Sequence, residues 1–301
     1  PRSTPLYSSA ASDVYKRQVR AYVGLTKPRI VLLLLVTTVP AMVLAQEGWP
    51  SFWKLLVTLV GGALAAGGAN ALNCYFDRDI DSVMLRTRRR PIPAGTVEPE
   101  RALAFGLALG ALGALLMQAF VGTLAALLTI GAYGFYVLVY TLALKRSTPL
   151  NIVIGGAAGA MPPVIGWAAV RGEVGIAALL LFGVVFFWTP VHFWALSLNY
   201  RQDYQRAGVP MMPVVKGEAE TRRQILLHAL ATVGLSLALP WVSDAGAFYL
   251  AAAAALAVAL LGQGLWLLLR PSARRAAFLF QLSNLYLAAL FAALAVDVLA
   301  F

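Results

Sequence analysis

Residues 52–81 read FWKLLVTLVGGALAAGGANALNCYFDRDID. The first 25 of these positions carry one charge, Lys54, and no proline. A helix needs roughly 20 mainly apolar residues to cross a bilayer, so this run predicts a membrane span. The run then empties at once into Asp77, Asp79 and Asp81. A lipid-crossing helix with an acidic mouth is the element from which the rest of the chain is read.

Similar apolar runs fill the sequence. Nine spans are predicted, over roughly 28–46, 52–76, 101–118, 120–143, 150–169, 174–199, 224–242, 247–269 and 276–299. Of the 301 residues 60% are hydrophobic and 12% charged, against about 25% charged in a soluble domain. The alternating ten-residue strands of an outer-membrane barrel are missing. The fold class is therefore all-α, a polytopic membrane protein with nine transmembrane helices. Residues 19–301 read as a single transmembrane domain. The polar stretch PRSTPLYSSAASDVYKRQ has no apolar core of the secretory type, and residues 1–18 are set apart as a non-native or disordered segment. The lone cysteine, Cys74, excludes an internal disulfide.

The net charge of +11 suggests nucleic acid until the charges are placed. With the N-terminus in the cytoplasm, all of the 24 Lys and Arg except Lys54 and Arg171 fall in segments on the cytoplasmic side. That is the positive-inside bias. The excess charge is thus an orientation signal and a contact with anionic lipid headgroups, and nucleic acid is not a partner. Nine spans then leave Phe301 on the outer side, and the localisation expected is the cell inner membrane.

Asn73, Asp77 and Asp81 are spaced i, i+4, i+8, which stacks them on one face of a helix. Carboxylates at that spacing repel one another unless a cation lies between them. Magnesium takes one or two carboxylates together with substrate phosphate oxygens, so the motif suits a magnesium-bridged diphosphate. The competing reading is an acidic helix end neutralised by Arg78 and Arg86. Asp79 points to another side. Downstream, Arg86-Thr-Arg-Arg-Arg90-Pro91-Ile-Pro93 offers guanidinium forks for phosphate oxygens. The two prolines predict an extended stretch that turns the chain back.

A second amide–carboxylate pair, Asn199 and Asp203, follows the sixth span, with Ala207 where a third ligand would stand. Two acidic exits on one membrane face suit two magnesium ions around one diphosphate. Lys145 and Arg146 close the fourth span on the same side, where they either neutralise a departing diphosphate or only anchor the helix end. His192, in Trp188-Thr-Pro-Val-His-Phe-Trp194, and His228 are the two histidines. Each is a candidate for haem contact or a helix-to-helix hydrogen bond. Glycines at 61–62, 67–68, 155–156 and 159 read as close helix packing.

Asn73-x3-Asp77-x3-Asp81 followed by Arg86-Thr-x2-Arg90-Pro91 resembles the UbiA superfamily of intramembrane prenyltransferases. Leu25-Thr-Lys-Pro-Arg-Ile30, Tyr140-Thr-x2-Leu-Lys-Arg-x-Thr-Pro149, Asn151-Ile-Val-Ile-Gly-Gly156, Gly159-Ala-Met-Pro-Pro163, Trp188–Trp194 and Asp203-Tyr-x2-Ala-Gly-Val-Pro-Met-x-Pro213 are similar to its haem-farnesylating branch. The resemblance implies a nine-helix bundle with a central cavity open to lipid. It implies transfer of a farnesyl group from farnesyl diphosphate to a vinyl group of haem B, with magnesium as cofactor. It implies Asn73, Asp77 and Asp81 on magnesium diphosphate and Asp203 on a second ion. Arg86, Arg90 and Lys145, with Arg146 beside them, would steady the diphosphate. A haem A synthase is the partner expected to receive the product.

Two other functions compete. One is the same fold acting on a quinone precursor such as 4-hydroxybenzoate. The other is a transporter, whose acidic residues are expected near the bilayer midplane. Here they gather at one face beside arginines.

Overall fold

The structure, a computed structural model, describes the backbone of residues 6–300 and the side chains of residues 14–300. The described residues form helices and no strand: α1 Leu6–Thr26, α2 Pro28–Gln46, α3 Phe52–Phe76, α4 Arg78–Val83, α5 Pro99–Phe120, α6 Thr123–Leu144, α7 Asn151–Arg171, α8 Ile176–Asn199, α9 Arg201–Arg206, α10 Met212–Val215, α11 Gly217–Ala238, α12 Ala247–Leu269 and α13 Ala273–Ala300. Among these residues nine helices are long and apolar enough to cross a membrane. The seventh starts at Gly217, several residues before the expected 224, because its first turn is polar and hydropathy does not register it. Of the segment set apart on sequence, residues 1–5 lie outside the described residues, and 6–18 belong to α1.

The bundle closes around α2, α3, α6, α7, α8 and α13, all of which line one central cavity. α5 packs outside α3, and α11 and α12 pack behind α8 and α13. The α3–α5 contact is glycine on glycine. A Cβ on Gly68 would stand 2.6 Å from the Gly106 carbonyl, and one on Gly113 2.7 Å from that of Gly61. Small residues let helix backbones come this close in lipid. Leu107, Leu115, Leu127 and Leu138 are exposed on the outside, as suits a surface solvated by acyl chains.

At the end of the bundle far from Asp77, the buried Asp297 of α13 caps the preceding helix. Its carboxylate accepts the backbone N–H groups of Gly246 and, at 3.0 Å, Tyr249. Those are amides at the start of α12 that the helix itself leaves unpaired.

Candidate active site

α3 ends at Phe76, and Asp77 sits in the break before α4 with φ −90° and ψ 5°. The i→i+4 bonds carry on through the break, from Asp77 N–H to Asn73 and from Asp81 N–H to Asp77. Asn73, Asp77 and Asp81 therefore stay together, and all three are buried. Asn73 Nδ2 donates to Asp77 at 2.7 Å and to Thr141 Oγ1 at 3.1 Å. Lys145 donates to the same Asp77 oxygen, Oδ2. Arg90 grips both oxygens of Asp81, at 2.9 and 2.7 Å. Asp79 faces outward, as its spacing predicts, and pairs with Arg146, which also closes on the Phe76 carbonyl. That hydrogen bond holds the Asp79 carboxyl down at about 2. Arg78 donates to the Tyr75 carbonyl and covers the Tyr75 ring, so it neutralises none of the three aspartates.

The 84–97 loop is a chain of turns and not the extended stretch expected from its prolines. Backbone bonds from Arg90 to Thr87, Ala94 to Arg90 and Thr96 to Pro91 close it. It does turn back. Ile92 and Val97 bury themselves against Ala21 and Leu25 of α1 and Ala71 and Cys74 of α3, which aims Arg90 at Asp81. The Arg86 backbone N–H donates to Asp203 at 3.3 Å, and its guanidinium lies over the Tyr200 ring. The second acidic exit thus meets the first. Its amide does not take part: Asn199 is exposed and donates to the Ala273 carbonyl, so the expected Asn199–Asp203 pair does not form. The break at Tyr200 turns the two residues apart.

Three site features were missed from the sequence. Lys27, counted there only as an orientation charge, donates to Asn73 Oδ1 at 2.7 Å. It holds a left-handed backbone, φ 52°, between α1 and α2. Burial, with Arg90 and Lys145 near, pushes its ammonium down to about 8. The Lys-Pro pair marks the start of α2, but a residue before proline is expected to be extended, so nothing local announced this left-handed turn or its reach to Asn73. Asn70 donates to the Thr26 carbonyl and ties the same junction to α3.

The third feature is the winding of α6. Phe135–Leu144 is π-helical, with Lys145 N–H bonded to Tyr140, five residues back. In an α-helix, residues nine apart face about opposite ways. The wider π turns bring Tyr136, Tyr140 and Lys145 toward one side. Tyr136 and Tyr140 stack at 5.4 Å on the cavity wall. Hydropathy carries no trace of this.

The cavity measures about 480 Å³ and is mainly apolar, with Asn70, Arg86 and His192 among its polar lining residues. Gly155 makes room for Tyr140, whose Cδ2 lies 2.2 Å from where a Cβ on Gly155 would be. His228 is not among the lining residues. It packs on Phe187 and Trp194 and bonds to the Gln224 carbonyl.

No group of three or more His, Cys, Asp or Glu converges on a metal position among the described residues. The fit to a divalent cation rests on a different feature. Asp77 Oδ1 is buried without a hydrogen-bond partner, an orphaned acceptor of the kind a cation satisfies. Two carboxylates with room for phosphate oxygens match magnesium's habit. Around them Lys27, Arg86, Arg90, Lys145, Arg146 and Arg206 outnumber Asp77, Asp79, Asp81 and Asp203. Such an excess draws a polyanion.

Residues 34–290 match the UbiA prenyltransferase family. The chain is 50% identical over 297 residues to the protoheme IX farnesyltransferase of Gloeobacter violaceus, covering 98% of this chain and 95% of that one. It is 55% identical to protoheme IX farnesyltransferase 1 of Saccharopolyspora erythraea, covering 92% and 89%. Among solved structures it is similar to digeranylgeranylglyceryl phosphate synthase, with a TM-score of 0.77 at 18% identity over 94% of this chain and 99% of that one. It is also similar to a UbiA homolog from Archaeoglobus fulgidus bound to GPP and Mg2+, with a TM-score of 0.67 at 19% identity over 91% and 99%.

Proposed function

Since this chain belongs to the UbiA prenyltransferase family, and within it to the protoheme IX farnesyltransferases, we propose that it farnesylates haem B. The farnesyl group of farnesyl diphosphate joins a vinyl group of haem B, water adds, and haem O and diphosphate are released. The observation that carries this reading is the pairing of Asp77 with Lys145 and of Asp81 with Arg90, with Asn70 and Arg86, on either side of the two aspartates in sequence, lining an apolar cavity. One end of the substrate is a polyanion and the other is a lipid, and the site offers a wall to each.

Asn73, Asp77 and Asp81 from one exit and Asp203 from the other are the residues to hold magnesium. When bound there, the ion would draw negative charge off the diphosphate and ease its departure. Lys145, Arg90, Arg86 and Arg146 hold the phosphate oxygens and keep the leaving group from returning its charge. As the C1–O bond breaks, the farnesyl carbon becomes cation-like, and the stacked faces of Tyr136 and Tyr140 supply π density beside it. The apolar wall excludes water until the vinyl carbon has bonded to C1. Water then adds to the carbon beside the macrocycle, and its proton passes to diphosphate.

The chain is a multi-pass membrane protein. The distribution of Lys and Arg supports a cytoplasmic N-terminus and cytoplasmic site loops, an outer C-terminus and residence in the cell inner membrane. A haem A synthase would take up the product. The test is to incubate the purified protein with magnesium, farnesyl diphosphate and either haem B or 4-hydroxybenzoate, and to extract products for mass spectrometry. Hydroxyethylfarnesyl haem is expected. Product from 4-hydroxybenzoate alone would move the chain to the quinone branch.

A further inference from the structure

We infer that His192 is the residue that ligates the haem iron, through Nε2, and so holds the macrocycle in the cavity. This rests on haem B being the acceptor. Of the two histidines in the sequence only His192 lines the cavity. Its ring is stacked on Trp188 at 4.5 Å and 17° and on Phe280 at 4.4 Å and 29°. Two near-parallel neighbours at that distance occupy the ring's two faces and leave only its edges free.

The edges are then told apart by hydrogen bonding. His192 Nδ1 lies 2.9 Å from Ser283 Oγ. Ser283 spends its one hydroxyl proton on the Phe280 carbonyl, at 2.8 Å. The Nδ1 edge therefore faces a hydroxyl that is itself tied to the Phe280 carbonyl, and the ring also bonds to the Phe280 backbone. With Nδ1 turned to Ser283, Nε2 is the nitrogen left for a metal. The Ser283 carbonyl takes the Trp188 indole N–H at 2.7 Å, so the residue that bonds to Nδ1 also fixes one stacking partner. An imidazole clamped on both faces and hydrogen-bonded at one nitrogen is how proteins prepare a histidine for a metal. The chemistry it fits is a planar metalloporphyrin, whose iron would take the lone pair at the imidazole's free edge.

Position agrees. His192 stands seven residues before the end of α8, about 10 Å along a helix. An iron bound there would lie against the apolar cavity that His192 lines.

The test uses the full chain in nanodiscs, titrated with ferric and ferrous protohaem and read by optical and resonance Raman spectroscopy. The wild type should give a histidine-ligated spectrum. His192→Gly should lose it, and free imidazole should restore it. Metal-free protoporphyrin should bind both proteins with similar affinity, which reports an intact cavity. Ser283→Ala, which keeps the ligand but removes the partner of Nδ1, should lower the iron–histidine stretching frequency. A His192→Gly spectrum identical to wild type overturns the assignment and leaves haem farnesylation standing. An unchanged iron–histidine frequency in Ser283→Ala overturns it as well. Failure of the wild type to bind or farnesylate protohaem overturns the functional reading, and the assignment with it.

Discussion

Lys145 donates to Asp77 across 68 positions of sequence and joins the π-wound end of α6 to the break after α3. The pair is buried on both sides, with 12% of the lysine and none of the aspartate side chain exposed. Removing one partner of a buried pair strands the other charge, at a cost of about 3–5 kcal/mol. Asp77→Asn should therefore lower the unfolding temperature and reduce farnesyl transfer by roughly 100-fold or more. Adding Lys145→Met should bring the unfolding temperature back without restoring turnover. Restored turnover in the double variant would show that Asp77 is structural only.

Asp203 and Asp77 are expected to differ in kind. Asp203 accepts the Arg86 N–H and has Arg206 within 3.7 Å, whereas Asp77 has an oxygen with no partner. Chelation by EDTA should abolish activity, and magnesium should restore it. Asp203→Asn should raise the magnesium concentration needed for half-maximal rate while keeping measurable turnover. Asp77→Asn should show little turnover at any magnesium concentration. Equal responses in the two variants would contradict this division.

Lys27 holds the Asn73 oxygen, and Asn73 in turn holds Asp77. Lys27→Met leaves that buried oxygen without its donor, worth about 1–3 kcal/mol. Loss of activity by roughly tenfold is expected at that cost, with farnesyl diphosphate affinity falling alongside. Isothermal titration with a non-hydrolysable farnesyl diphosphate analogue would check it, and unchanged affinity would count against the role.

Gly155→Ala drives a methyl group into the Tyr140 ring. Overpacking of this type costs about 1–3 kcal/mol, and displacing Tyr140 should also lower the transfer rate. In a Tyr140→Ala background, Gly155→Ala should lower thermal stability no further, since the clash is then gone. A stable, fully active Gly155→Ala protein would mean that α7 moves aside freely.

Asp297→Ala supplies a control at the opposite end of the bundle. It removes the acceptor for the Gly246 and Tyr249 amides. Losing an N-terminal cap costs about 0.5–2 kcal/mol. Thermal unfolding should shift down while farnesyl transfer at low temperature stays near wild type.

The spans and the acidic exits were legible because bilayer thickness and carboxylate repulsion both act on local composition. Asn73, Asp77 and Asp81 stay within i→i+4 reach despite the break, so their spacing carried through to the structure. What could not be read depends on contacts between distant positions. The Lys27–Asn73 bond spans 46 residues, and the Asn199–Ala273 bond that separates Asn199 from Asp203 spans 74. The turns of the 84–97 loop are set by the burial of Ile92 and Val97 against α1. The proline pair alone pointed elsewhere.

The π-helical stretch from Phe135 to Leu144 stores surplus chain in the wall of the site. Straightened to ordinary α winding at full length, it would carry Lys145 to the far side of the helix from Tyr136, nine steps of about 100° each. Deleting one residue between the two would leave eight steps, about 80° past two full turns, and so would absorb most of that rotation. A single-codon deletion here is thus milder on the lysine than a substitution that tightens the winding without shortening the chain.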